Sequence, residues 1–401
     1  MTLHDTPPPA RMGQAEFIAL IAMLFATIAF SIDAMLPALP QIAAELSPDA
    51  PNAAQLILTS FVLGMGIGTL LAGPLSDTFG RKPVILAGAA LYCAAAMTAY
   101  FAPTLETVLL ARMVQGLGAA GPRVVSLALV RDLYKGREMA KVVSFAMMIF
   151  TLVPAIAPFI GQGIMAVTGW RGIFVAFVAF SVLSMLWFGL RQPETLTERR
   201  PLAAAPLLAA FREVLSHRVV VISIAVQTLA FACLFATLSA TQPIFDQVYG
   251  KGDSFPVWFA VIAVVSGTSS LLNAKLVMRL GMRRMITVTL GAQVVFSLGM
   301  AAANGFGLWS DGAAFAAHLV WTIGVFFMAG LTIGNLNALG LEPVGHIAGM
   351  AASVIGAIST VLSVVLAAPV GLAFNGTALP LMLGVATFAA LGFALMRVVP
   401  R

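Results

Sequence analysis

Of the sixteen acidic residues in the chain, only Asp33 lies well inside a long apolar stretch; Glu16, Asp132, Glu138, Asp246 and Glu342 fall at the ends of such stretches or in loops. A carboxylate in that setting is expensive, and the chemistry open to it is reversible protonation. Two arginines share the setting. Arg112 and Arg123 are eleven positions apart, which on a helix is about 1100°, or three turns and about 20°, so they share one face about 16 Å apart. A guanidinium in a membrane-length apolar helix costs roughly 3 kcal/mol unless it finds a polar cavity or a partner. The face they share therefore lines something wet, or is held in an ion pair or a clamp on backbone carbonyls. For Arg112 a third possibility is to snorkel toward the surface.

Between the two arginines runs Gly116-x-Gly118-x-x-Gly121, letter for letter a dinucleotide-binding fingerprint. That loop needs a strand before it, a helix after it and an acidic residue about twenty positions on, whereas these glycines sit within one apolar span. Gly116, Gly118, Ala119, Ala120 and Gly121 read instead as a face that lets neighbouring helices approach, as do Gly64, Gly66 and Gly68. Other catalytic patterns are missing. There is no G-x-x-x-x-G-K-[ST] and no H-E-x-x-H, and His4, His217, His318 and His346 are scattered. An ATP-driven pump or a metalloenzyme is disfavoured, no cofactor or metal site is expected, and His318 is expected at the surface where span ten enters from outside.

The elements that must position these residues follow from composition. Charged residues are 9% and hydrophobic ones 60% of 401 residues, against roughly a quarter charged in soluble proteins. Twelve spanning stretches can be drawn: 16–37, 53–73, 83–101, 105–130, 139–166, 170–190, 219–241, 255–274, 285–304, 313–338, 347–372 and 377–398. With both termini inside, 18 of the 22 lysines and arginines fall on the cytoplasmic side. The net charge of +6 is thus topological, following the positive-inside rule, and calls for no nucleic acid. The start MTLHDTPPPARMGQAE has no basic n-region and reads as a short cytosolic tail. Cys93 and Cys233 both lie in apolar segments, as packing residues rather than a disulfide framework.

The chain divides in two. The polar interval 191–218 separates spans one to six (16–190) from seven to twelve (219–401), with 1–15 as the tail. GPLSDTFGRKP (73–83), between spans two and three, has a degenerate counterpart in AKLVMRLGMRR (274–284), between spans eight and nine: Gly80 matches Gly281 and Lys82 matches Arg283, but Met278 stands opposite Asp77. Parallel repeats of this kind build secondary transporters with a site between the halves.

GPLSDTFGRK resembles the loop signature of the major facilitator superfamily. SIDAMLPALPQI (31–42), RMVQGLGAAG (112–121), VPAIAPFIGQG (153–163) and ALGLEPVGHIAGMAASVIG (338–356) resemble its drug:H⁺ antiporter branch with twelve helices, and within it the bicyclomycin-resistance and chloramphenicol-export type. The match runs the whole chain in order. Departures are Pro154 and Ala157, where many antiporters carry glycine, and Ala34-Met35-Leu36, where a tyrosine is usual.

The resemblance implies an all-α membrane protein of two six-helix bundles with both termini cytoplasmic. Gly73, Asp77, Gly80, Arg81, Lys82 and Arg131 would form a conformational gate, with Asp77 meeting Arg131 and the N-terminal dipole of span eleven near Ala348 and Gly349. Asp33, Arg112 and Arg123 would serve substrate and proton. Pro154 and Pro158, with Gly161, would bend span five beside the cavity, since two backbone donors are missing within a turn. Phe30, Phe61, Met147, Trp321 and Phe327 could line that cavity. The expected activity is proton-driven export of a small, largely apolar compound across a bacterial inner membrane by a monomer, with the proton gradient as its energy source. Charged Asp33 and two arginines give the cavity a formal +1, favouring anionic, zwitterionic or neutral substrates. Proton-coupled uptake on the same fold stays open, and so, with less support, does a membrane enzyme or lipid scramblase.

Overall fold

The computed structural model describes residues 12–199, 201–202 and 204–399, so most of the tail 1–15 lies outside the described residues. Among these the structure is helical throughout, with no strand: α1 (Gln14–Asp33), α2 (Leu39–Leu46), α3 (Leu56–Phe79), α4 (Arg81–Tyr100), α5 (Leu105–Leu133), α6 (Gly136–Thr168), α7 (Gly172–Arg191), α8 (Ala204–Ser216), α9 (Arg218–Pro243), α10 (Phe255–Leu280), α11 (Met282–Gly305), α12 (Asp311–Leu341), α13 (Ala348–Leu372), α14 (Leu379–Arg397).

 Helix α13 thus runs over Ala348–Leu372.

Among the described residues, eleven helical stretches are long and apolar enough to cross a membrane. One of them, 312–372, is 61 residues long and as a straight helix would measure about 90 Å, three bilayer cores. It folds back at a 3₁₀ turn, Glu342–Ile347, where Val344 leaves helical geometry (φ −118°, ψ 27°). α12 and α13 then each suffice for one crossing, which reconciles eleven stretches with the twelve expected. The first span also differs from expectation. Its helix stops at Asp33 instead of 37, and the chain continues through a 3₁₀ turn, Leu36–Ala38, into α2. Pro37 and Pro40, which have no N–H to donate, sit at the starts of those two elements, where a donor is not needed.

α1 and α9 are the innermost helices, buried on nearly every side, as suits helices apolar all round. α1 packs on α5, α6 and α7, and α5 on α3 and α4; α9 packs on α12, α13 and α14. Residues 14–191 and 218–397 meet chiefly along two seams, α3 against α13 and α6 against α10. Large apolar side chains such as Val167 and Leu190 are more than four-fifths exposed, a surface suited to lipid and not to water. In the polar interval, α8 packs against α9 and α13, with Val214 buried beside Val220, Val344 and Val354.

The glycine face of α5 works as close-packing surface. A side chain on Gly116 would meet the Phe61 carbonyl oxygen of α3 at 1.9 Å, and one on Gly118 the Gly88 carbonyl oxygen of α4 at 2.5 Å. Backbone lies against backbone on both sides of α5, which leaves no room for a nucleotide.

Candidate transport site

Asp33 is the last residue of α1 and is 5% exposed. Its carboxylate makes no hydrogen bond or ion pair among the described residues. α6 closes on the adjoining backbone, because Gly161 brings its Cα face against the Ala34 carbonyl: a Cβ there would lie 2.1 Å from that oxygen. α6 remains helical through Pro154 and Pro158; Gly161 contributes a close approach beside Asp33.

Arg112 is fully buried. Its guanidinium donates to the Ser31 carbonyl of α1 at 2.8 Å, to Gln115 Oε1 at 2.7 Å and, at 3.5 Å, to the Ile57 carbonyl of α3. The rings of Phe61 and Phe177 lie 4.4 and 5.7 Å from it. Of the readings open from sequence, this is the carbonyl clamp. Arg112 is brought to Asp33 only through the backbone, holding the carbonyl two residues before it, and Ser31 is held again by its hydroxyl against Tyr92. Arg123 is half-buried and points Nη1 at Met65 Sδ, 3.5 Å away. Since Ile57, Phe61 and Met65 all belong to α3, the two arginines do share a face, and that face is turned to α3. Sulfur is a weak acceptor, so Arg123 retains donors for another group. In a Cys93→Ala, Cys233→Ala background, Arg123→Cys is expected to react with a small water-soluble thiol reagent in at least one conformation. Complete protection in every state would place position 123 in a packed interface.

The aromatic and soft residues are dispersed. Phe30 packs edge-on to Phe177, at 5.4 Å; Phe61 lies under Arg112; Met147 is 38% exposed on α6. Trp321 is buried and donates to Ser297 Oγ at 3.0 Å, while Phe327 is half-buried. His318 is a correction: expected at the surface, it is fully buried with neither ring nitrogen paired, its ring 5.2 Å from that of Tyr249 and 5.4 Å from that of Trp321. The π-helical turn Ile244–Val248 after α9 and the residues that follow it cover it with Phe245 and Tyr249. Glu342 begins the turn between α12 and α13, away from this group, at the end of the molecule where α1 starts.

That same end carries the 73–83 loop. α3 ends at Gly80, whose φ of 110° is open to glycine at little cost, and Gly281 ends α10 in the same way at 76°. This equivalence supports the repeat, with Met278, 87% exposed, where Asp77 stands in the first copy. The resemblance pointed to Arg131 as the partner of Asp77. In the structure the Asp77 carboxylate is bound at 2.5 Å by Arg81, one helical turn on, which also reaches Ser76 Oγ at 2.6 Å and Asp132 at 3.2 Å. Arg131 lies over the start of α13 instead: a Cβ on Gly349 would be 3.7 Å from its Nη1. Gly73 faces the Ser353 hydroxyl across the α3–α13 seam, and Lys82 donates to the Gly189 carbonyl at 2.6 Å, at the end of α7.

Sequence reasoning missed Glu194. Its carboxylate accepts from the N–H groups of Arg81 and Lys82, both at 3.0 Å, capping α4, and from those of Thr195 and Leu196, both at 2.9 Å. Burial works against its ionisation, but these four backbone donors prevail and hold it below the usual carboxylate range. The only signal was an acid in a short polar run.

Fold and motifs together admit comparison with known proteins. The sequence profile of the Major Facilitator Superfamily matches residues 19–372. The chain belongs to that superfamily. The superfamily member is similar to a bicyclomycin resistance protein homolog of Haemophilus influenzae, 29% identical over 374 residues and 91% of each chain. It is likewise similar to the multidrug resistance protein MdtL of Escherichia fergusonii, 29% identical over 334 residues, 81% of this chain and 80% of that one. The likeness found is thus the one the motifs pointed to. Among solved structures, a D-xylose–proton symporter superposes with a TM-score of 0.77 over 96% of this chain and 98% of its own, at 14% identity. The human organic anion transporter MFSD10 does so with 0.66, over 96% and 100%, at 16%. At such identities these two speak for the fold alone. The protein is a multi-pass membrane transporter and not an enzyme.

Proposed function

We propose that this transporter is a proton-driven exporter of small, largely apolar compounds, working as a monomer in a bacterial inner membrane. Its termini and the 191–218 interval are cytoplasmic, and two six-helix bundles rock about a site between them. The observation that carries the coupling is the Asp33 carboxylate, buried without a partner where α1 breaks. Unlike a carboxylate neutralised in an ion pair, it is free to exchange a proton with whichever side it faces. Protonation from outside releases substrate outward, and deprotonation toward the cytosol restores binding, as in alternating access. Arg112 fixes the backbone beside Asp33, and Arg123 supplies a positive charge nearer the cytoplasmic end. The drug-resistance names of the two relatives support export over uptake. Proteoliposomes holding a pH-sensitive dye test the reading: an exported compound should drive proton movement opposite to its own, and co-directional movement would indicate uptake.

The loop around Asp77 braces one conformation in this scheme. Asp77→Asn weakens the Asp77–Arg81–Asp132 chain without touching the site near Asp33. Transport is expected to fall several-fold with substrate affinity in detergent nearly unchanged. Equal losses in both would remove the loop from the gating role.

A further inference from the structure

Two side chains of the first half reach across to backbone carbonyls of the second at the end of the molecule opposite the gate loop. Asn52, in the 3₁₀ turn Pro51–Gln55 that leads into α3, donates its amide to the Leu372 carbonyl at 3.1 Å and to the Phe374 carbonyl at 2.7 Å. Carbonyls at a helix C-terminus have no partner within their own helix, so Asn52 caps α13 from the other half. Gly371 admits the turn, since a Cβ there would lie 2.6 Å from Gln55 Oε1. Gln162, on α6, donates to the Asp253 carbonyl at 3.1 Å, just before α10 begins. Close packing does not account for this second bond. Beside it the halves stand apart at a cleft of about 300 Å³, walled by Pro37, Pro40 and Met165 on one side and by Gln242, Asp246 and Gly252 on the other. The halves meet along the α3–α13 and α6–α10 seams, and one such bond stands at this end of each.

We propose that Asn52 and Gln162 are latches that hold the outer mouth shut, one on each seam, and that the mouth opens when both let go. Each is tied to the backbone around Asp33. Gln162 follows Gly161, whose Cα face lies against the Ala34 carbonyl. The turn that bears Asn52 packs on α2, which the chain enters from Asp33 through Leu36–Ala38. A change of state at Asp33 thus has a short path to both seams. That link rests on the exporter reading; the latches do not.

The test is a distance measurement between nitroxide labels at Phe101→Cys and Phe306→Cys in the purified full-length protein, with Cys93→Ala and Cys233→Ala as background. Both phenylalanines are exposed at this end, one in each half and away from the latches. Asn52→Ala/Gln162→Ala is expected to raise the ratio of the longer-distance to the shorter-distance population at least about tenfold, since one neutral hydrogen bond is worth about a fivefold change. Each single variant should raise it less. Gln41→Ala, on the same cleft wall, should leave it unchanged. Gln162 is only half-buried, so Gln162→Ala alone serves if the double variant does not fold. An unchanged ratio in the folded latch variants, or an equal shift in Gln41→Ala, overturns the latches. Adding Asp33→Asn should lower the raised ratio again, because in the exporter scheme the neutral form closes outward to carry its proton in. If the latch variants open the mouth and Asp33→Asn changes nothing, the link to the exporter reading fails and the latches stand.

Discussion

Asp33→Asn is expected to abolish uphill export while leaving substrate binding largely in place. The amide has the shape of the protonated acid but cannot lose a proton, so the variant is held in one of the two charge states the cycle needs. At one proton per substrate, each unit of pH difference can sustain about a tenfold concentration ratio; the variant should reach only equal concentrations on the two sides. The second readout is the pH dependence of binding. In the wild type, substrate is expected to load on the deprotonated form, so affinity should rise with pH and binding should release protons. In Asp33→Asn both effects should vanish. Measured in proteoliposomes and by titration at several pH values, continued uphill export with proton release would show that the proton travels elsewhere. His318, buried with both ring nitrogens unpaired, would then be the first alternative and Glu342 the next.

Gly116→Ala is expected to be among the most damaging conservative changes in the fold. Its methyl group would stand 1.9 Å from the Phe61 carbonyl oxygen and 2.9 Å from the Met65 nitrogen. These are backbone atoms of a long helix and cannot rotate aside. α3 and α5 would have to part by about 1 Å or more, loosening the hold of Arg112 on Ile57 and of Arg123 on Met65. A cost of about 3 kcal/mol or more follows from overpacking of this kind, seen as a lowered thermal midpoint and early aggregation in detergent. Gly163→Ala is the matched control. It lies in α6 with nothing within 4 Å of the added carbon, and should be neutral or stabilising by up to about 1 kcal/mol. Equal stability of the two variants would refute the packing account.

Much of the architecture was legible because it depends on local composition. Membrane-length apolar runs need no partner to be recognised, and the glycines of α5 could be separated from a nucleotide loop by the apolar span around them. The repeat at 73–83 and 274–284 was readable because both copies need a residue with positive φ at the helix end, and glycine marks it. The common face of Arg112 and Arg123 followed from helical periodicity alone.

What each residue meets across that periodicity was not. Arg112 and Ser31 are 81 positions apart, and Glu194 and Arg81 are 113 apart; neither pair has a local pattern linking it. His318 was misplaced because its own helix suggests a mouth position, whereas the π-helical turn after α9 folds over it. By itself the sequence determined that the chain crosses a membrane many times, which charges lie at helix ends, and that Asp33 is an isolated intramembrane acid, because these follow from transfer cost and helical period. Only the tertiary structure decided that Asp33 has no partner among the described residues, that Arg112 grips carbonyls and that Asp77 turns to Arg81, because hydrogen bonds form over about 3 Å and only the packing of distant helices sets distances on that scale.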